Sequence, residues 1–190
     1  LADFNRKERE GTQSGAKRKY SSPLVNSVAK TMQTLHLEPA YSVDIETLVQ
    51  FHSAAFVEDE IKYGAGPPGH RDEAWHRAML AQHHYFKMLW GALLVGGAIV
   101  VEKGEGHFYL DTLFIHPDYH NQGLGQQAML ALERAFPQAR RWTLATPHQN
   151  FRNHHFYEKL GYRKIAEEWV TDVPNLATDF GVFVYEKLVS

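Results

Sequence analysis

The chain has 190 residues, 44% of them hydrophobic and 13% aromatic. That suffices for one domain with a substantial core and excludes a disordered chain. The formal net charge of −2 excludes a global electrostatic drive toward nucleic acid or an anionic membrane, and the lack of cysteine excludes disulfides, thiolate metal sites and a cysteine acyl-enzyme.

Leu1 to Tyr20 is polar, with Arg6, Lys7, Arg9, Lys17, Arg18 and Lys19 among acids. Without hydrophobic periodicity it is expected to be a solvated tail, not a nucleic-acid arm. Ser22 and Pro23 fit a cap and a first helical residue, and Leu24, Val28, Met32 and Leu35 share one face of the short helix that would follow. Residues 1–35 are therefore expected to form an N-terminal extension, and 36–190 the domain proper. His36 to Tyr41 reads as the first strand. Asp44 to Phe56 is amphipathic, with Ile45, Leu48, Val49, His52, Ala55 and Phe56 on one side. After Glu58-Asp59-Glu60, the run Tyr63-Gly64-Ala65-Gly66-Pro67-Pro68-Gly69 breaks regular structure. Asp72 to His83 predicts a second helix with Trp75 and Met79 inward.

Strands are expected at Tyr85–Leu89, Leu94–Glu102 and His107–Ile115, the last two joined by the turn Lys103-Gly104-Glu105-Gly106. The most apolar run, Met88 to Val101, is too short to span a bilayer and is interrupted by Gly91, Gly96 and Gly97, so no membrane partner is expected. No signal-peptide pattern opens the chain, and cytoplasm is the expected compartment. Further on come a strand at Arg141–Thr146, a helix from about Asn150 to Leu160 with Gly161 at its left-handed end, and strands at Tyr162–Thr171 and Phe180–Leu188. Antiparallel hairpins plus one strand–helix–strand crossover predict an α/β fold with a mixed, largely antiparallel twisted sheet flanked by helices.

One stretch organises the rest: Leu113-Phe114-Ile115-His116-Pro117-Asp118-Tyr119-His120-Asn121-Gln122-Gly123-Leu124-Gly125. An apolar strand ends at Pro117, which has no N–H to pair. Gly123 and Gly125 let backbone approach a ligand without an intervening Cβ. Leu124, Ala128, Ala131, Leu132, Ala135 and Phe136 then recur at helical spacing, and Pro137 stops the helix. The first N–H groups of such a helix lack internal partners and lie at the positive end of its dipole, which suits a phosphate. An ordinary strand–turn–helix connection has the same glycines.

The pattern His120-x-x-Gly123-x-Gly125 after Ile115-His116-Pro117 resembles the acyl-CoA pyrophosphate loop of the GNAT superfamily, the acetyl-CoA-dependent N-acetyltransferases. That family usually has Arg or Gln where this chain has His120. A second block, Asn150-Phe151-Arg152-Asn153-His154-His155-Phe156-Tyr157-Glu158-Lys159-Leu160-Gly161-Tyr162, resembles the family's later helix. The resemblance extends from about His36 to the C-terminus and is strongest over Tyr109–Tyr162. It implies a GNAT-like fold and transfer of an acetyl group from acetyl-CoA, as co-substrate, to a primary amine by direct attack on the thioester. A non-catalytic acyl-CoA-binding module is the alternative, and a homodimer is compatible with either.

The resemblance implies that Leu113, Phe114 and Ile115 pair their backbone with the pantetheine arm. It implies that His120, Asn121, Gln122, Gly123, Leu124 and Gly125 surround the pyrophosphate, and that Asn150 hydrogen-bonds the arm. It makes Tyr157 a cofactor contact and the general-acid candidate, since a phenol of ordinary pKa about 10 is protonated at neutral pH. Asp111 is the general-base candidate. Strand alternation would put Asp111, Leu113 and Ile115 on one face and Leu110, Thr112 and Phe114 on the other. If the side chain of His120 faces the pyrophosphate, cofactor affinity should weaken as pH rises through the ordinary histidine range. Glu58, Asp59, Glu60, Asp72 and Glu73 cluster toward the implied acceptor side, either as a wall for a cationic amine or as a solvated loop. The pairs His83-His84, His116 with His120, and His154-His155 match no metal-ligand pattern, and no metal is expected.

Overall fold

The computed structural model describes residues 34–64, 66–170 and 180–189, without the side chains of Tyr63 and Val170. The expected N-terminal helix lies outside them, except for its last positions. Leu35 belongs to no helix: it opens strand β1 (Leu35–Pro39). The chain leaves that strand before Tyr41 because the Asp44 carboxylate accepts the Tyr41 N–H at 2.8 Å and folds a tight turn.

Helix α1 (Ile45–Tyr63) follows, then α2 (Glu73–Gln82), β2 (His84–Trp90), β3 (Leu93–Gly104), β4 (His107–Ile115), a short 3₁₀ turn (Pro117–Tyr119), α3 (Leu124–Ala135), β5 (Arg141–Pro147), α4 (Phe151–Lys159), β6 (Arg163–Val170) and β7 (Phe180–Leu188). Helix α1 runs further than the apolar periodicity suggests, so Glu58, Asp59 and Glu60 are helical. It stops where Gly64 turns left-handed and gives its N–H to Glu60 O at 2.9 Å. The Asp72 carboxylate caps α2 by accepting the Ala74 and Trp75 N–H groups. At the end of α4, Gly161 takes φ 88°, the left-handed position expected of it.

The seven strands form one sheet in the order β1-β2-β3-β4-β5-β7-β6. Every neighbouring pair is antiparallel except β4 with β5. Helices α3 and α4 cover one face: Leu124, Ala128, Met129 and Leu132 pack with Phe108, Leu110, Trp142 and Leu144. Helices α1 and α2 cover the other, where Ile45 and Leu48 meet Ile99 and Phe114, with Trp75 and Met79 against them. Each fully buried large apolar side chain contributes about 1.5–3 kcal/mol of transfer free energy, which fixes both helix layers to the sheet.

Two features of β4 decide where a site can form. Its parallel pairing with β5 covers only His107–Leu110 against Arg141–Leu144. Beyond Leu110 the strands separate, and the β5-facing backbone of β4 is left without a strand partner. At the same point the register with β3 slips, because Val100 opposes Leu110 while Ile99 opposes Thr112. Asp111 is the extra residue of this β-bulge. The bulge overturns the expected alternation at Leu110, and leaves Leu113 with Ile115 and Thr112 with Phe114 as expected. Leu110 packs in the α3 and α4 core with Leu113 and Ile115, whereas Phe114 lies in the α1 and α2 core and the Thr112 hydroxyl meets His52 of α1.

Candidate active site

The gap between β4 and β5 opens into two adjoining cavities of about 290 and 390 Å³. They share Phe56, Asp59, Leu113, Asn153 and Tyr157 as walls. Chemistry that joins two reactants needs such a junction.

The first cavity runs from the separated half of β4 to the N-terminus of α3. It is lined by Leu113, Phe114, Ile115, His120, Asn121, Gly123, Leu124, Gly125, Asn150 and Tyr157. Of the sequence candidates on this side only Gln122 is outside its wall; the Gln122 amide lies 3.5 Å from Asp118 O. Gly123 is the N-cap of α3, with φ 73° and ψ 7°, and no side chain caps the helix. The first turn of α3 carries no acidic residue. Its leading N–H groups are therefore available to an anion, and the helix dipole favours one. A Cβ at Gly123 would meet nothing within 4 Å, so glycine is needed there for its left-handed backbone. At Gly125 a Cβ would touch Phe156 at 3.4 Å.

Three candidates have other partners. The His120 ring turns back so that Nε2 donates to Ile115 O at 2.8 Å, and the His120 N–H bonds Pro117 O at 3.0 Å. His120 thus braces the turn between strand and helix. Asn150 is 8% exposed and is the N-cap of α4; its Oδ1 accepts the Asn153 N–H at 3.2 Å, which leaves its Nδ2 hydrogens for a ligand. Phe114 buries its ring against His52, with centroids 4.4 Å apart. Arg152 brings a cation to this cavity. In the sequence Arg152 stands out only as one member of the second block.

The second cavity lies beyond the bulge. Its acidic and phenolic walls are Asp59, Asp111, Glu168, Tyr109 and Tyr157, and no Lys, Arg or His lines it among the described residues. Burial raises the Asp111 carboxyl above the ordinary aspartate range, partly offset by His83 and Lys103. Asp111 as a residue is exposed to solvent, so this desolvation is partial and comes from the cavity wall around it. Burial also raises Asp59, against Arg152 and Lys62. Desolvation pushes the Tyr157 phenol up to about 12, with Tyr109 adding to it. Tyr109 is likewise raised to about 12 by burial, then by Asp111 and Glu168.

The acidic cluster expected on the acceptor side separates into individuals. Asp59 faces both cavities and Glu58 only the first. Glu60 pairs with Arg71, Asp72 caps α2, and Glu73 pairs with Arg77. Glu168 was missed because β6 reaches the gap only through its pairing with β7, a contact without local signal. Among the described residues no group of three His, Asp or Glu side chains has a metal-binding arrangement.

Comparison with known proteins identifies the family and the fold. One curated relative, the uncharacterized protein YrkN of Bacillus subtilis (strain 168), is 39% identical over 70 residues; the match covers 36% of this chain and 38% of that protein. Solved structures share the fold at low identity. The ribosomal-protein-S18-alanine N-acetyltransferase of Escherichia coli has a TM-score of 0.67 at 16% identity, over 83% of this chain and 95% of that one. The PaiA N-acetyltransferase of Thermoplasma acidophilum in complex with coenzyme A has 0.65 at 15%, over 82% and 99%. YncA of Salmonella typhimurium with its cofactor acetyl-CoA has 0.60 at 13%, over 83% and 95%. The sequence model of the Acetyltransferase (GNAT) family matches residues 46–162. This stretch holds the bulge, the uncapped helix and Tyr157, and the chain belongs to that family of acyltransferases.

Proposed function

We propose that the protein transfers an acetyl group from acetyl-CoA directly to a primary amine, with the cofactor in the first cavity and the acceptor in the second. The observation that carries this reading is the junction at Leu113 and Tyr157, where an uncapped helix N-terminus and an acid-lined cavity meet across one strand edge. On this reading the N–H groups from Gly123 onward hold the pyrophosphate, and Arg152 adds a cation for phosphate. The backbone of Leu113 pairs with the amide-bearing arm, which extends along β4 as an added strand would. The Asn150 amide hydrogens reach the same arm.

The amine attacks the thioester carbonyl after losing its proton. Asp111 is the base that takes it, directly or through one water, and partial desolvation of its carboxyl shifts its pKa upward. The C–S bond then breaks and the sulfur leaves as thiolate, next to Tyr157. A phenol near 12 does not surrender its proton outright. With a thiol pKa of about 8.5, full transfer is uphill by roughly 5 kcal/mol. Tyr157 therefore stabilises the thiolate by donating a hydrogen bond, an electrostatic role. The carboxylates of Asp59, Asp111 and Glu168 suit a cationic amine.

Incubation with acetyl-CoA and a panel of primary amines tests the proposal. Free CoA should appear only when an amine is present, and the mass of the protein should stay unchanged, since no acyl-enzyme forms. Acetyl-CoA binding without amine-dependent CoA release would favour the non-catalytic acyl-CoA-binding module.

A further inference from the structure

Beneath the second cavity lies a hydrogen-bonded chain of four buried side chains. Tyr85 Oη lies 2.6 Å from His76 Nδ1. His76 Nε2 lies 3.1 Å from His52 Nδ1, and His52 Nε2 lies 3.1 Å from Thr112 Oγ1. The two histidines are fully buried, Tyr85 is 3% exposed and Thr112 6%. His52 is held between the rings of Phe114, Phe56 and Trp75. The titratable groups facing the pair are His70, whose ring centroid is 6.2 Å from that of His52, and Asp72, which acts on His76.

The chain has one satisfied direction. All four ring nitrogens are engaged, so each neutral ring donates once and accepts once. His76 is the partner of Tyr85 Oη among the described residues. If Tyr85 accepted, its own buried hydrogen would have no acceptor, at the cost of an unsatisfied donor. Tyr85 therefore donates to His76 Nδ1, His76 Nε2–H to His52 Nδ1, and His52 Nε2–H to Thr112 Oγ1. Thr112 can only accept from His52, and its own hydrogen points elsewhere. Thr112 stands in the wall of the second cavity, next to the bulge residue Asp111.

We infer that Tyr85, His76 and His52 form a one-directional relay that fixes Thr112 as a hydrogen-bond donor to the acceptor, so that the site selects amines carrying an oxygen acceptor near the reactive nitrogen. This rests on the reading of the second cavity as the acceptor side. Thr112 is the specificity-determining residue; His52, His76 and Tyr85 position it. No net proton moves along the chain.

Two measurements test it. Long-range proton–nitrogen NMR on the full chain with labelled histidine reads the tautomers, assigned with His52→Gln and His76→Gln. Both rings should carry hydrogen on Nε2 and keep it from pH 5 to 8. Hydrogen on Nδ1 of either ring reverses the relay and overturns the inference. In kinetics, glycinamide and propylamine are compared as acceptors. Thr112→Val should lower kcat/KM for glycinamide about tenfold, the loss of one hydrogen bond, and leave propylamine within about twofold, while Thr112→Ser stays near wild type with both. Equal losses on both amines would make Thr112 merely structural and overturn the inference. If wild type binds acetyl-CoA yet acetylates neither amine, the reading of the second cavity as their acceptor site falls, and the specificity claim with it, whatever the tautomers show.

Discussion

At the scale of single residues, Asp111 and Tyr157 occupy different electrostatic positions. The carboxyl of Asp111 is raised by burial. A folded-state pKa above the unfolded one gives stability that is present at low pH and lost as pH rises through the folded value. Asp111→Asn should therefore unfold at a higher temperature than wild type at pH 8 and lose that advantage near pH 4, while its turnover falls by about 10²-fold or more. Circular dichroism melts at the two pH values check the first part; equal shifts at both would contradict it. Tyr157 is raised to about 12 and stays protonated throughout the neutral range. Tyr157→Phe should reduce kcat by about 10²-fold with acetyl-CoA affinity kept within a few-fold, which calorimetry can measure. The buried histidines carry the opposite sign. Burial lowers His52 to about 3 and His76 to about 4, so their stabilisation is complete above about pH 6.5 and is lost as pH falls toward the folded values. Each ring should remove about 2 kcal/mol between pH 7 and pH 5. Urea unfolding at both pH values reads the loss, and His76→Gln should flatten the pH dependence by one ring's share.

At the scale of elements, the bulge in β4 and the start of α3 do most to make a site. The bulge was not legible in the sequence. His107 to Ile115 alternates well enough to name the strand, yet an extra residue leaves no mark in composition. Strict alternation therefore put Leu110 on the wrong face, although it grouped Thr112 with Phe114 and Leu113 with Ile115 as found. Helix α3 was legible nearly to the residue, since Leu124, Ala128 and Leu132 repeat cleanly and Gly123 marks the start. The second block singled out Asn150, and its cap bond to Asn153 gives it a structural role that the motif did not reveal. Likewise the His120 bond to Ile115 O appears only once the turn is folded, so the expected pH-dependent grip on phosphate loses its premise. The two glycines separate fold from binding. A β-branched residue at Gly123 must adopt a left-handed backbone, a strain of about 1–2 kcal/mol, so Gly123→Val should melt lower even without ligand. Gly125→Val adds atoms where only Phe156 is close. It should melt near wild type and lose most of the stabilisation by acetyl-CoA, about 2.7 kcal/mol for wild type at a hundredfold excess over Kd. A full ligand shift in Gly125→Val would mean that the cofactor does not approach that turn.

At the scale of the whole molecule, the separation of β4 from β5 after four paired residues opens the gap that both cavities occupy. Each wall comes from a different part of the chain: Asp59 from α1, Asp111 and Leu113 from β4, Tyr157 from α4, Glu168 from β6. The fold class and most of the wall of the first cavity were readable because they rest on contiguous motifs. The second cavity was not, because Glu168 and Thr112 reach it from strands far apart in sequence, and His52 meets Thr112 across 60 residues. A crystal structure of the protein with CoA tests this account most directly. The account predicts the pyrophosphate on the N–H groups at the start of α3, the arm along Leu113, and the sulfur within hydrogen-bond reach of Tyr157 Oη at the junction of the two cavities. CoA bound outside the β4–β5 gap, or a sulfur that lies away from Tyr157, would contradict it.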